Sequence, residues 1–440
     1  MYVIKGIMNV EELKRVISSQ RQAMEELLKS GRIAERLVDK ERLRGYLAQP
    51  NILAILGVRR SGKAVLTWLL LKDMKFGYIN FADERLRGMK AEELDSVMQA
   101  FAELYGEMEY VAFDEIQNVE GWELFLTRLR TTKRIIATGS NSRMLSRELA
   151  TSLTGRHVDF ELFPFSYAEY MAYRKKSTVE METVEQVAEL KNGLRDYVGK
   201  GGFPEAEAFG TAILQGIYGD ILEKDIAVRH SVRKLGELRE LAVYLMSNIG
   251  KEVTLERLKE AVGIRSSITI GRYVRYLEEG YLVVLLNRFS YKLKEQFKAP
   301  KKAYCIDTGL ANAVSFRNGA DDGRLIENVV LVELLRRRSY RFARYGVYYW
   351  KDHAQREVDF VIKEGDSVAK LIQVSYVSDA RGLKEREIEA LVKASDELRC
   401  DSMLIITWDY EGGIERHGKR IAVVPLWKWL LEEEKTSRTG

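Results

Sequence analysis

Residues 57–65 read GVRRSGKAV, and their types and spacing point to phosphate chemistry. Small residues at Gly57 and Gly62 let backbone N–H groups wrap an anion. A helix starting just beyond them would turn its positive end to the same anion. Lys63 is placed to reach the outer phosphates of a nucleotide, with Arg59, Arg60 and Ser61 filling the loop. The full pattern continues with Ser or Thr, whose hydroxyl is a direct magnesium ligand. Here that position is Ala64. Thr67 lies one helical turn further along and too far away to substitute. The stretch therefore predicts a phosphate cradle with a weakened metal clamp.

A second stretch fits the same chemistry. YVAFDE (110–115) is an apolar run ending in two carboxylates. After such a loop, the first acid, Asp114, is expected to hold Mg²⁺ through water. The next, Glu115, is expected to polarise the attacking water as a general base. A third run, IIATGSN (135–141), ends in polar residues. Ser140 or Asn141 at its tip could orient that water or sense the terminal phosphate, although a helix N-cap is an equally good use for them.

Positioning these groups takes a parallel sheet. Short apolar runs at 52–57, 76–83, 109–115 and 133–140 alternate with helical patterns. That alternation predicts strands covered by helices on both faces, with the ligand at their carboxyl ends. The first ~45 residues read as amphipathic helices packed on this sheet. From 166 to 235 the pattern is mostly helical, broken by a Gly-Pro turn at 199–206. From 237 to 290 it reads helix, helix, turn, helix and apolar hairpin, with Thr254 and Ser266 as N-caps, which is the order of a winged helix. Arg265, Arg272 and Arg275 lie in or just before its last helix, where they could reach DNA phosphates or base edges. A final α/β unit follows. The expected domains are 1–46, 47–165, 166–235, 236–300 and 301–433.

Composition sets bounds on function. Almost half the residues are apolar and nearly a third charged, a globular profile. A net charge of +5 permits nucleic-acid contact without requiring it. The apolar runs are too short to span a membrane, and no secretory signal is legible at the start, so the expected location is the cytoplasm. Cys305 and Cys400 stand far apart, outside any zinc-spacing motif.

Five stretches in combination carry a resemblance over nearly the whole chain. They are GVRRSGK, FDEIQNVEGWE, ATGSNSRMLSRELATSLTGRHVDFELFPFSYAEY, GGFPEA and DILEKDIAVRH. Together they resemble archaeal and bacterial AAA+-type P-loop ATPases with a C-terminal nuclease-like domain. The resemblance implies an α/β ATPase core that binds ATP or ADP with Mg²⁺, a helical lid, a winged helix and a domain similar to PD-(D/E)XK nucleases. It makes Arg156, in the TGR motif, a candidate phosphate sensor or arginine finger, against the equal alternative of a salt bridge to Glu148 or Asp159.

In the nuclease-like domain the positions matching the family's pattern are Glu327, Asp359, Gln373 and Ser375. Glu357 and Asp359 share one strand face, as do Gln373 and Ser375. Gln373 stands where the family carries a carboxylate, and Ser375 where it carries lysine. The expectation is an inactive scaffold, with a lysine migrated from Lys363 or Lys370 as the alternative. Three functions fit: a slow ATP-driven switch or motor acting on nucleic acid or a protein partner, an ATP-regulated metal-dependent nuclease, and a scaffold with structural nucleotide. A homo-oligomer is compatible with all three.

Overall fold

The computed structural model describes residues 8–31, 33–141, 157–176, 183–315, 322–341 and 343–432. The chain divides into two compact units, Met1–Leu162 and Phe163–Gly440.

The first unit opens with α1 (Val10–Lys29), started by a reciprocal cap in which Asn9 accepts from Glu12 N–H and Glu12 accepts from Asn9 N–H. Leu13, Val16 and Ile17 fall on one face of it and are buried in the unit's core. Then follow α2 (Lys40–Leu47), β1 (Ile52–Leu56), α3 (Lys63–Leu71), β2 (Phe76–Asn80), α4 (Leu94–Tyr105), β3 (Tyr110–Asp114), α5 (Trp122–Leu129), β4 (Arg134–Gly139) and β5 (His157–Glu161). The sheet order is β2-β3-β4-β1-β5, and every pair is parallel. β1 is buried at every position, as a strand covered on both faces must be. Because β4 lies between β1 and β3, the loop after β1, the acids ending β3 and the polar tip of β4 share one sheet edge. β5 is not legible in the sequence: HVDFE alternates polar and apolar residues, and its place at the sheet edge asks for no buried run.

The second unit begins with α6 (Tyr167–Tyr173), α7 (Val184–Lys200), α8 (Pro204–Phe209) and α9 (Ile213–Asp220), which runs into a π-helical stretch at Ile221–Val228. The turn after α7 depends on glycine: Gly201 has φ +79°, and a Cβ there would lie 2.0 Å from an Asp307 oxygen. Next come α10 (Leu235–Ser247), β6 (Glu252–Val253), α11 (Leu255–Val262), α12 (Ser267–Glu279), β7 (Val283–Leu286), α13 (Leu293–Lys298) and β8 (Lys301–Cys305). Thr254 and Ser266 cap α11 and α12. The hairpin expected within 281–290 is not formed there. β7 pairs antiparallel with β8, across an intervening helix, in a three-stranded sheet ordered β6-β8-β7. The polar composition of 291–300 hides this pairing, since α13 exposes Leu293 and Phe297 and buries little.

The rest is α14 (Thr308–Val314), α15 (Asp322–Tyr340), β9 (Tyr345–Lys351), β10 (Glu357–Glu364), β11 (Ser367–Ser375), α16 (Glu385–Leu398), β12 (Met403–Thr407), β13 (Gly412–Arg416), β14 (Lys419–Pro425) and α17 (Leu426–Leu431). The six strands form one mixed sheet, ordered β13-β14-β12-β11-β10-β9. Leu391 of α16, Leu371 of β11 and Ile405 of β12 lie in its core. No described helix is long and apolar enough to cross a membrane.

Candidate functional site

The loop Gly57–Gly62 joins β1 to α3. Gly57 has φ +148°, and a Cβ there would fall 2.2 Å from the Leu162 carbonyl oxygen, so only glycine fits. Arg60 (φ 68°) and Gly62 (φ 95°) also take left-handed backbone, curling the loop ahead of the helix. No side chain caps α3, which leaves its first-turn N–H groups to an anion. The Ser61 hydroxyl is buried and without a partner inside the loop. Arg36, from the segment between α1 and α2, is buried against the loop and donates to Ser61 O at 2.7 Å. Nothing in the sequence near Arg36 marks this brace.

Lys63 is buried. Its ammonium donates to Gly57 O at 3.0 Å and Val58 O at 3.2 Å, and lies 3.2 Å from Glu115 Oε1. Ala64 is half-buried in the first turn of α3. Thr67 donates its hydroxyl back to Lys63 O at 3.0 Å, so it is committed to its own helix. Arg59 is half-buried and Arg60 exposed.

Asp114 ends β3. Its carboxylate accepts from Tyr78 OH at 2.9 Å and from the Thr138 hydroxyl on β4. Burial, then the neighbouring Glu115 charge, pushes its carboxyl above the ordinary range. Glu115 has φ 53° and ψ 42°, a left-handed conformation costly for a side chain other than glycine and common at functional sites. Its N–H donates to the Thr138 hydroxyl at 3.0 Å. Burial pushes its carboxyl up, but Lys63, the Gln117 amide and Arg59 outweigh burial and hold it below the ordinary range. Ser140 and Asn141 are buried at the tip of β4. The structure thus brings together the loop, Asp114, Glu115 and the β4 tip; Arg156 lies outside the described residues.

The arrangement fits the phosphates of a nucleotide: a cradle that a Cβ would fill, an uncapped helix start, an unpartnered buried hydroxyl and a buried ammonium. It offers Mg²⁺ one carboxylate, Asp114, and no hydroxyl at position 64. The described residues contain no cluster of three His, Cys, Asp or Glu side chains suited to a metal.

In the second unit, Arg265 and Arg272 line a cleft of about 800 Å³ with His230, Arg233, Lys234, Tyr273 and Tyr276. Glu237 is the one carboxylate on its wall. Arg275 is not on that wall; it stands over the Tyr276 ring and lies 3.7 Å from Glu279. Arg233 and Lys234, from the loop before α10, join these arginines on the wall without any motif in the sequence to mark them.

Glu327, Asp359, Gln373 and Ser375 are all buried. Gln373 Nε2 donates to Asp359 at 2.7 Å. Of the two lysines in the alternative reading, Lys363 donates to Gly365 O and Lys370 is exposed. A third lysine reaches the cluster, Lys302 on β8, at 2.9 Å from Glu327 and 3.1 Å from Asp359.

The family described as an AAA domain matches residues 49–171. Two domains of unknown function, DUF8612 and DUF4143, match 191–321 and 322–429. An uncharacterized protein of Methanocaldococcus jannaschii, MJ1544, is 34% identical over 402 residues, which is 87% of this chain and 89% of that one. An uncharacterized protein of Haemophilus influenzae is 29% identical over 403 residues, 87% of this chain and 94% of that one. Among solved structures, the Walker-type ATPase PABY2304 of Pyrococcus abyssi aligns over 63% of this chain and 96% of its own, with a TM-score of 0.43 and 17% identity. The chain belongs to the family of MJ1544, and its residues 49–171 are an AAA-type P-loop ATPase domain.

Proposed function

We propose that the protein binds adenine nucleotide tightly, hydrolyses it slowly, and uses the nucleotide state to control nucleic-acid binding by its second unit. The observation that carries the first part is the pairing of an intact phosphate cradle with Ala64. Backbone N–H groups, Lys63, Arg59 and Ser61 supply binding that needs no metal. Mg²⁺ would supply charge neutralisation at the reacting phosphate, and here Asp114 alone would hold it. Glu115 is the candidate base for the attacking water and Asn141 the residue to orient it; Arg156 is the candidate finger. The ion pair between Lys63 and Glu115 holds the base ionised, yet also lowers its affinity for the proton it must take. Drawing Lys63 toward phosphate frees Glu115 from that pair.

Support for nucleic-acid binding comes from the cleft around Arg265 and Arg272. The order from α10 to β8 is helix–strand–helix–helix–strand–helix–strand, which matches a winged helix with α13 inserted between its two wing strands, and α12 would be its recognition helix. Four cations against one carboxylate favour a phosphodiester backbone, and Tyr273 and Tyr276 offer faces for bases. Calorimetry with ATP and ADP, with Mg²⁺ and with EDTA, tests the first part: affinity is expected to survive EDTA while phosphate release stays slow. Filter binding of duplex and single-stranded DNA at ~50 mM salt, where electrostatic binding is strongest, tests the second. Absence of DNA affinity in every nucleotide state would remove the control function and leave an ATPase with a different partner.

A further inference from the structure

Lys302 is 2% exposed, which is extreme for a lysine. A buried ammonium needs opposite charge around it, and three carboxylates provide it. Nζ lies 2.6 Å from Glu357, 2.9 Å from Glu327 and 3.1 Å from Asp359. These acids come from α15 and β10, whereas Lys302 comes from β8, a strand of the other sheet. Each carboxylate has further donors. Tyr304 OH donates to Glu327 at 2.6 Å. Gln373 Nε2 and Val374 N–H donate to Asp359 at 2.7 and 3.0 Å. Lys351 lies 3.5 Å from Glu357. The network is satisfied by the chain's own groups.

A divalent cation takes oxygen ligands at about 2.0–2.6 Å, closer than the 2.6–3.1 Å at which these acids stand around Nζ, so a metal would have to displace the ammonium and draw the three carboxylates inward. Two cations cannot share one point in a buried site, where like charges repel strongly. We infer that the Lys302 ammonium is the resident cation of this acidic cluster, filling the place of a divalent metal and fastening β8 to β10 and α15. The cluster is therefore a closed, metal-free site, and Asp359 is engaged by the chain's own donors and not by a metal.

Mn²⁺ binding to the full chain without nucleotide, read by electron paramagnetic resonance, tests this. Wild type and Asp359→Asn are expected to bind the same amount of Mn²⁺. Lys302→Met is expected to gain one equivalent, lost again when Asp359→Asn is added. Asp359-dependent Mn²⁺ binding in the wild type would overturn the inference, as would a folded Lys302→Met protein that gains none. If Lys302→Met does not fold, the carboxylates left without their cation are the expected cause. Adding Glu327→Gln and Asp359→Asn should then recover the native circular dichroism, and failure to recover it would equally overturn the inference.

Discussion

Replacing Ala64 by Ser puts one oxygen back at the first turn of α3, beside the place where Asp114 would hold Mg²⁺. Position 64 is half-buried, and serine adds a single oxygen to alanine. No other side chain on the helix does this job, because the Thr67 hydroxyl is tied to Lys63 O. A contact to a charged group is worth about 1.5–3 kcal/mol. If it acts only on the reacting state, each 1.36 kcal/mol is tenfold in rate, giving a gain of roughly ten- to a hundredfold in kcat. The loss in helix propensity from Ala to Ser is about half a kcal/mol, too small to confuse the result. Steady-state phosphate release at saturating MgATP is the assay. Asp114→Asn should erase the gain, since hydroxyl and carboxylate act on one ion and their effects should not add. A wild-type turnover above ~1 s⁻¹, ordinary for enzymes and unchanged by Ala64→Ser, would refute the reasoning that the missing hydroxyl limits the metal.

Further outcomes follow from the same geometry. Gly57→Ala sets a Cβ against Leu162 O and strains the bond from Leu162 N–H to Leu56 O at 2.7 Å. Backbone strain plus a weakened hydrogen bond should cost roughly 2–4 kcal/mol and abolish nucleotide binding, read by thermal denaturation and calorimetry. Asp114 must be ionised to hold Mg²⁺. Because burial raises its pKa, the Mg²⁺-dependent part of ADP affinity should fall on mild acidification, sooner than for an exposed carboxylate, while affinity in EDTA changes less. The same shift means that the fold binds this proton more tightly than the unfolded chain, so the group favours folding below its raised pKa and loses that contribution as pH rises through it. Arg265→Glu and Arg272→Glu should each weaken DNA binding and flatten its salt dependence by about one unit of slope, seen by filter binding across salt concentrations. Arg275→Glu, outside the cleft, should do less.

The parts of the site that were legible in sequence are those set by neighbours along the chain. Gly57, Gly62 and Lys63 lie within one loop, and Asp114 and Glu115 end one apolar strand, so spacing alone carries them. The partners that tune them arrive from afar. Tyr78 and Thr138 bond Asp114 from β2 and β4, and Arg36 reaches Ser61 across 25 positions. No local pattern marks such residues, because only the sheet order brings them together. Lys302 is the sharper case. A search for a lysine near Asp359 along β10 and β11 finds Lys363 and Lys370, yet the ammonium that arrives is 57 residues away. The β7–β8 pairing that carries it is itself hidden by the intervening polar helix.

The brace from Arg36 bears on where the ATPase part can be cut. The AAA match begins at residue 49, but the core beneath the sheet includes Leu13, Val16 and Ile17, and the phosphate loop leans on Arg36. A fragment of 49–171 would uncover an apolar face on the solvent side of the sheet and release the loop from its guanidinium support. Such a fragment should aggregate or bind nucleotide weakly for reasons unrelated to its chemistry. A fair measurement of turnover needs a protein that begins ahead of α1.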